Sequence, residues 1–80
     1  MSERERVLEE IEKLFEELIV HQRRKVFAAA QRLNPRLTED DITQPHDFVE
    51  LATSPEWNYE DGLLAGYLAA HMAVRAQLRR

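Results

Sequence analysis

The chain contains no cysteine. That excludes a disulfide framework, a thiolate metal site and a thiol nucleophile. Glycine occurs twice and proline three times in 80 residues, so long stretches carry no helix breaker. No apolar run approaches the ~20 residues of a transmembrane helix. A surplus of positive charge is also missing. The formal net charge of −4 argues against a dedicated nucleic-acid binder, whose affinity rests on neutralising phosphates. Met1-Ser2-Glu3-Arg4 leads into a charged helical pattern without the apolar core of a secretory leader. The cytoplasm is therefore the expected compartment, with no membrane and no nucleic acid as partner.

What is present is organised around one stretch. Gly62 to Val74 carries no formal charge in a chain that is 32% charged. On a helix, Leu63, Leu64, Tyr67, Leu68, His71, Val74 and Leu78 form one broad stripe. Gly62, Ala65, Ala69, Ala73 and Ala76 form the opposite side, with Met72 beside them. A helix with no polar side is ordinarily covered on more than one side. It is expected to be the central element, with other segments as its covers.

Upstream, Ser2 and Glu5 make a capping-box pattern, so a helix is predicted from Glu3. Neither glycine nor proline interrupts it before Leu33. Leu8, Ile11, Phe15, Leu18, Gln22, Val26, Ala29 and Leu33 recur at steps of three and four, with Val7 and Leu14 alongside. Gln22 in that apolar stripe reads as a core-edge amide that fixes register through a hydrogen bond. Asn34-Pro35 ends the helix, because a residue before proline is pushed out of the α region. Ile19, Val20, Phe27 and Ala30 add apolar surface to its second half, which calls for cover on two sides.

Residues 34–57 read as a connector with short helices near 39–42 and 45–52. Thr38 with Asp41 suggests a cap, Leu37 with Ile42 a hydrophobic staple, and Pro45 a first helical position. Phe48, Val49 and Leu51 are its apolar contacts, expected to cover Val20 and Phe27. The last helix has two candidate starts: Pro55 capped by Ser54, or Tyr59 capped by Asn58. The second places Glu60 and Asp61 at the positive end of the helix dipole and is preferred, giving residues 59–77. Arg75, Arg79 and Arg80 suit the other end.

The expected fold is a single all-α domain, 1–80. A long N-terminal helix (3–33) runs antiparallel to a buried C-terminal helix, joined by the connector. At 1.5 Å per residue the first helix is ~46 Å and the last ~28 Å. About ten N-terminal residues, among them Val7, Leu8 and Ile11, would then overhang. A small domain with that much uncovered apolar surface is expected to associate, and a two-fold homodimer is the commonest closure. Its predicted interface is Val7, Leu8 and Ile11 with Gly62, Ala65, Ala69, Met72, Ala73 and Ala76.

Charge is segregated. Residues 19–36 carry a net +5 and residues 37–61 a net −8, so these segments should attract each other. Arg23, Arg24, Lys25, Arg32 and Arg36 therefore read as a basic flank facing the acidic connector. Three groups could carry function. If Leu33 pairs level with Asn58, then Glu17, His21 and His71 fall at one height and could hold a divalent ion. No metal-binding or catalytic motif accompanies them, and His71 reads first as a core histidine with one hydrogen-bond partner. The connector rim, His46, Asp47, Trp57, Tyr59, Glu60 and Asp61, could receive a basic protein partner, or could simply cap the bundle. No cofactor is implied. The functional expectation is a non-catalytic interaction or scaffold module; the alternative is a small metal- or ligand-binding protein using His21, His71 and nearby carboxylates.

Overall fold

A computed structural model describes residues 2–79; Arg80 lies outside them. The described residues are helical with no strand. Helix α1 spans Glu3–Leu33, α2 Val49–Ala52 and α3 Pro55–Leu78, with 3-10 turns at Asp41–Thr43 and Pro45–Asp47. α1 and α3 form an antiparallel hairpin. The molecule measures 49 × 19 × 19 Å. A 19 Å section is about two helix diameters, so most of the length is two helices thick.

Helix α1 has the predicted bounds. The Ser2 hydroxyl accepts from the Glu5 amide at 3.1 Å, and Asn34 turns extended before Pro35. The short helix expected over 39–42 is instead a 3-10 turn over Asp41–Thr43 with Asp40 at its N-cap position, although Thr38 and Asp41 do exchange the anticipated bonds: Thr38 N donates to Asp41 Oδ2 at 2.9 Å, and Asp41 N donates to Thr38 Oγ1 at 3.3 Å. The helix expected over 45–52 is divided. A 3-10 turn from Pro45 precedes α2, because Phe48 is extended between them.

The last helix starts earlier than the preferred reading. Ser54, not Asn58, is its N-cap, accepting from the Trp57 amide at 3.1 Å, and Pro55 occupies the first turn. Asn58 serves the preceding segment instead. Its Nδ2 donates to the carbonyls of Ser54 (2.7 Å), Leu51 (3.0 Å) and Ala52 (3.3 Å). Two carbonyls at the end of α2, those of Leu51 and Ala52, are thereby satisfied, as a helix C-terminus requires.

The core sits at the connector end. Val26, Ala29 and Ala30 from α1, Leu37 and Leu51 from the connector, and Trp57 and Leu64 from α3 are buried together with Ile19. The two-sided cover expected for the second half of α1 is present at Ile19 and Ala30. It is incomplete at Val20, which stays 48% exposed; of the residues expected to cover it and Phe27, Val49 is itself exposed, and it is Ile42 that lines the same cleft as both.

The pairing register also differs. Gln22 Nε2 donates to the Glu60 carbonyl (2.8 Å) and to Glu60 Oε1 (3.0 Å), which makes Gln22 the register amide its position predicts. The same register sets His71 against Glu12 rather than against His21, a shift of about two turns. With its earlier start, α3 therefore reaches far down α1: Arg75 meets Glu12. The predicted N-terminal overhang shrinks accordingly. Leu8 and Ile11 are half-buried, and Val7 remains exposed. No helix among the described residues is long and apolar enough to cross a membrane.

Leu51 is fully buried where all three segments meet. Leu51→Ala should cost about 2–5 kcal/mol, as for other core leucines, and urea denaturation at fixed protein concentration would measure it.

Candidate functional site

Four places on the hairpin could carry function. The first is the histidine region. His71 is buried and stacked on Phe15, with ring centroids 4.9 Å apart and planes 5° from parallel. Its Nε2 lies 2.9 Å from Glu12 Oε2. Arg75 Nε approaches both oxygens of the same carboxylate at 3.1 Å. The Arg75 hydrogen bond, then that of His71, holds the Glu12 carboxyl below its ordinary value of 4.5. The cluster clasps the open end of the hairpin. His21 is exposed on another side of α1, together with Glu17. The proposed set of Glu17, His21 and His71 is thus not assembled, because the register on which it depended is not the one formed. Among the described residues, no group of three His, Cys, Asp or Glu side chains could hold a metal ion. The partner that sequence reasoning missed is Glu12. Its signal was the match of Glu12 to both His71 and Arg75, one turn apart on α3, which only the correct register reveals.

The second is the connector rim, which the structure disperses. Trp57 is 1% exposed and belongs to the core, so it offers no surface to a partner. Its Nε1 is buried without an acceptor. Glu60 is engaged by Gln22 and by Lys25 Nζ at 3.6 Å. His46, Asp47 and Tyr59 are exposed. The expected attraction between the basic and acidic segments is seen in Lys25–Glu60 and in the Arg32–Glu56 pair.

The third is the outer side of α3. Gly62, Ala65, Gly66, Ala69, Ala70, Met72, Ala73 and Ala76 are all exposed in the single chain. A Cβ added at Gly62 or Gly66 would meet nothing within 4 Å, and neither glycine has positive φ. Each costs a helix roughly 0.5–1 kcal/mol relative to alanine, with no return inside one chain. This surface continues around the hairpin. At about 100° per residue, Leu63, Tyr67, Ala70 and Val74 face the same flank as Val7, Leu14 and Leu18 of α1. That is the flank on which Lys25 and Arg32 reach Glu60 and Glu56. Leu14 is 64% exposed and Met72 71%. Leu14 and Leu18 were absent from the predicted interface because both had been read as core-facing.

The fourth is an open cleft of about 560 Å³ on the opposite flank, where the connector crosses the hairpin. Val20, Val26, Phe27, Ile42 and Leu64 form its apolar floor. Arg23 and Arg24 stand on one wall; Glu39, Asp40 and Asp61 stand on the others. Among the described residues neither arginine forms an ion pair, and Asp61 has neither an ion pair nor a side-chain hydrogen bond. Burial pushes the Asp61 carboxyl above its ordinary value of 3.8. Of the rim residues singled out from sequence, Asp61 is the one that lines a concave surface.

Compared with protein-family models, with curated proteins and with solved structures, the chain matches none.

Two carboxyls give opposite pH signatures. Glu12 is lowered in the fold, so it stabilises above its ordinary value and that contribution is lost as pH falls below 4.5. Glu12→Gln should melt lower than wild type at pH 7, and the gap should close on acidification. Asp61 is raised, so its ionised form opposes folding above 3.8. Asp61→Asn should melt higher than wild type at pH 7, with the difference vanishing below the ordinary aspartate range. Melting curves across pH 2.5–7 (a range of about the two carboxyl titrations) check both signs.

Proposed function

We propose that this protein is a non-catalytic helical interaction module of the cytoplasm, working as a homodimer. The observation that carries this reading is the set of apolar and small side chains that one chain leaves in water. It runs from Val7, Leu14 and Leu18 on α1 across Tyr67 and Val74 to the glycine and alanine side of α3. Exposed apolar surfaces of this extent mark association sites. Two such hairpins pressed together make a four-helix arrangement, the ordinary way for a two-helix unit to acquire a core.

The small-residue side of α3 is suited to close pairing of the two α3 helices. Gly62, Gly66, Ala69, Ala73 and Ala76 follow steps of four and three, a seam of coiled-coil period with side chains small enough for close backbone approach. The charged groups nearest the ends of α3, Glu56, Glu60 and Arg75, are already engaged by α1, so the seam itself is free of charge and sets no like charges against each other. The exposed connector residues His46 and Asp47 are the proposed surface for a further protein partner; Tyr59, on α3 one turn before Gly62, lies in line with the seam.

Mass in solution is the test. The wild type should elute and scatter as a dimer. Leu14→Glu and Ala69→Glu should each give a helical monomer, since both positions are exposed within one chain. Gly66→Ala should separate the two effects of the glycine: a more stable helix, but a weaker dimer. A wild-type monomer at tens of micromolar, or unchanged mass in both glutamate variants, removes this reading.

A further inference from the structure

We propose that the cleft beneath the connector binds a free α-amino acid with a large apolar side chain, the ammonium on Asp61 and the carboxylate on Arg23 and Arg24. The cleft is within the size range of small-molecule sites, and its floor is apolar where Phe27, Ile42 and Val20 meet. Its charges are what narrow the ligand. A purely anionic ligand meets three carboxylates. A purely cationic one meets two arginines. An uncharged apolar ligand would strip water from all five groups and pair none of them. A compact zwitterion with an apolar body satisfies both walls and the floor.

Asp61 is the strongest single pointer. Among the described residues nothing pairs its carboxylate, although burial disfavours its charge. Asparagine would fill the same space without that penalty. A residue that weakens the fold and receives no internal partner is the pattern expected of a binding group. Arginine suits the other end, because its planar fork grips a carboxylate through two parallel hydrogen bonds. No residue lining the cleft belongs to the proposed dimer surface, so this inference does not rest on dimerisation and can fail without it.

The experiment is an NMR titration of the full chain with L-phenylalanine, 2-phenylethylamine, 3-phenylpropionate and glycine. L-Phenylalanine should give saturable shifts confined to the cleft, at Val20, Phe27, Ile42 and Leu64, with a dissociation constant in the millimolar range or tighter. The amine lacks the carboxylate, the propionate lacks the ammonium, and glycine lacks the apolar body; each should bind at least ~10-fold more weakly, the loss of about one charge-assisted contact or its apolar equivalent. Asp61→Asn, expected to be the more stable fold, should weaken L-phenylalanine by a similar factor. The Arg23→Gln, Arg24→Gln double variant should do the same. Absence of saturation with L-phenylalanine overturns the proposal. So does equal binding of the amine or the propionate, undiminished binding by Asp61→Asn, or shifts centred on Leu14 and Tyr67 instead of the cleft.

Discussion

Gln22 donates from one nitrogen to both the carbonyl and the carboxylate of Glu60, and the hairpin's register depends on that pair of bonds. The amide is buried. Sliding α3 by one turn would leave it without an acceptor, at a cost of roughly 1–3 kcal/mol for a stranded polar group. Apolar contacts between two smooth helices discriminate poorly among such slips. A buried amide with one acceptor site does so directly. Everything placed along the pair follows: Arg32 beside Glu56, Phe15 beneath His71, and Glu12 between His71 and Arg75.

The two flanks of the hairpin are unequal because a single connector crosses only one of them. Leu37, Ile42, Phe48 and Leu51 turn inward on that side, and the crossing leaves the charged cleft at its edge. On the other flank nothing crosses, and Leu14, Leu18 and the alanines of α3 stay in water. A chain of this length does not hold enough apolar area to close both sides. The proposed dimer and the proposed ligand site thus arise from one topological fact, yet use separate surfaces and separate residues.

Features governed by neighbouring residues were legible in the sequence. Ser2 and Glu5, Asn34-Pro35, and Thr38 with Asp41 each announce a cap or stop through contacts two to four residues apart. The helix stripe of Leu64, Tyr67, Leu68 and His71 was equally readable, because it follows from periodicity alone. The start of α3 was not. Ser54 and Asn58 are both good caps, and the choice turned on two carbonyls of α2, Leu51 and Ala52, that Asn58 satisfies from a distance. The candidate site suffered most. Glu17, His21 and His71 were grouped by an assumed register, and a two-turn difference sent His71 to Glu12 instead. Trp57 was assigned to a rim because aromatic residues among acids resemble a recognition surface. Its burial depends on how the connector folds back, which no local pattern encodes. Asp61 was noticed as one acid of several; its lack of an ion pair among the described residues is visible only in three dimensions.

The uneven placement of the core along the hairpin has a mechanical meaning. Nearly all fully enclosed side chains lie between Ile19 and Trp57 along the fold, near the crossing segment. Beyond them the two long helices are fastened by one carboxylate clasp, one stacked ring and half-buried side chains such as Leu8, Ile11 and Leu68. Such a body behaves like a pair of tongs: stiff at the pivot, compliant at the tips. Thermal motion should splay the free ends while the pivot stays shut, and whatever grips the tips gains leverage over their separation.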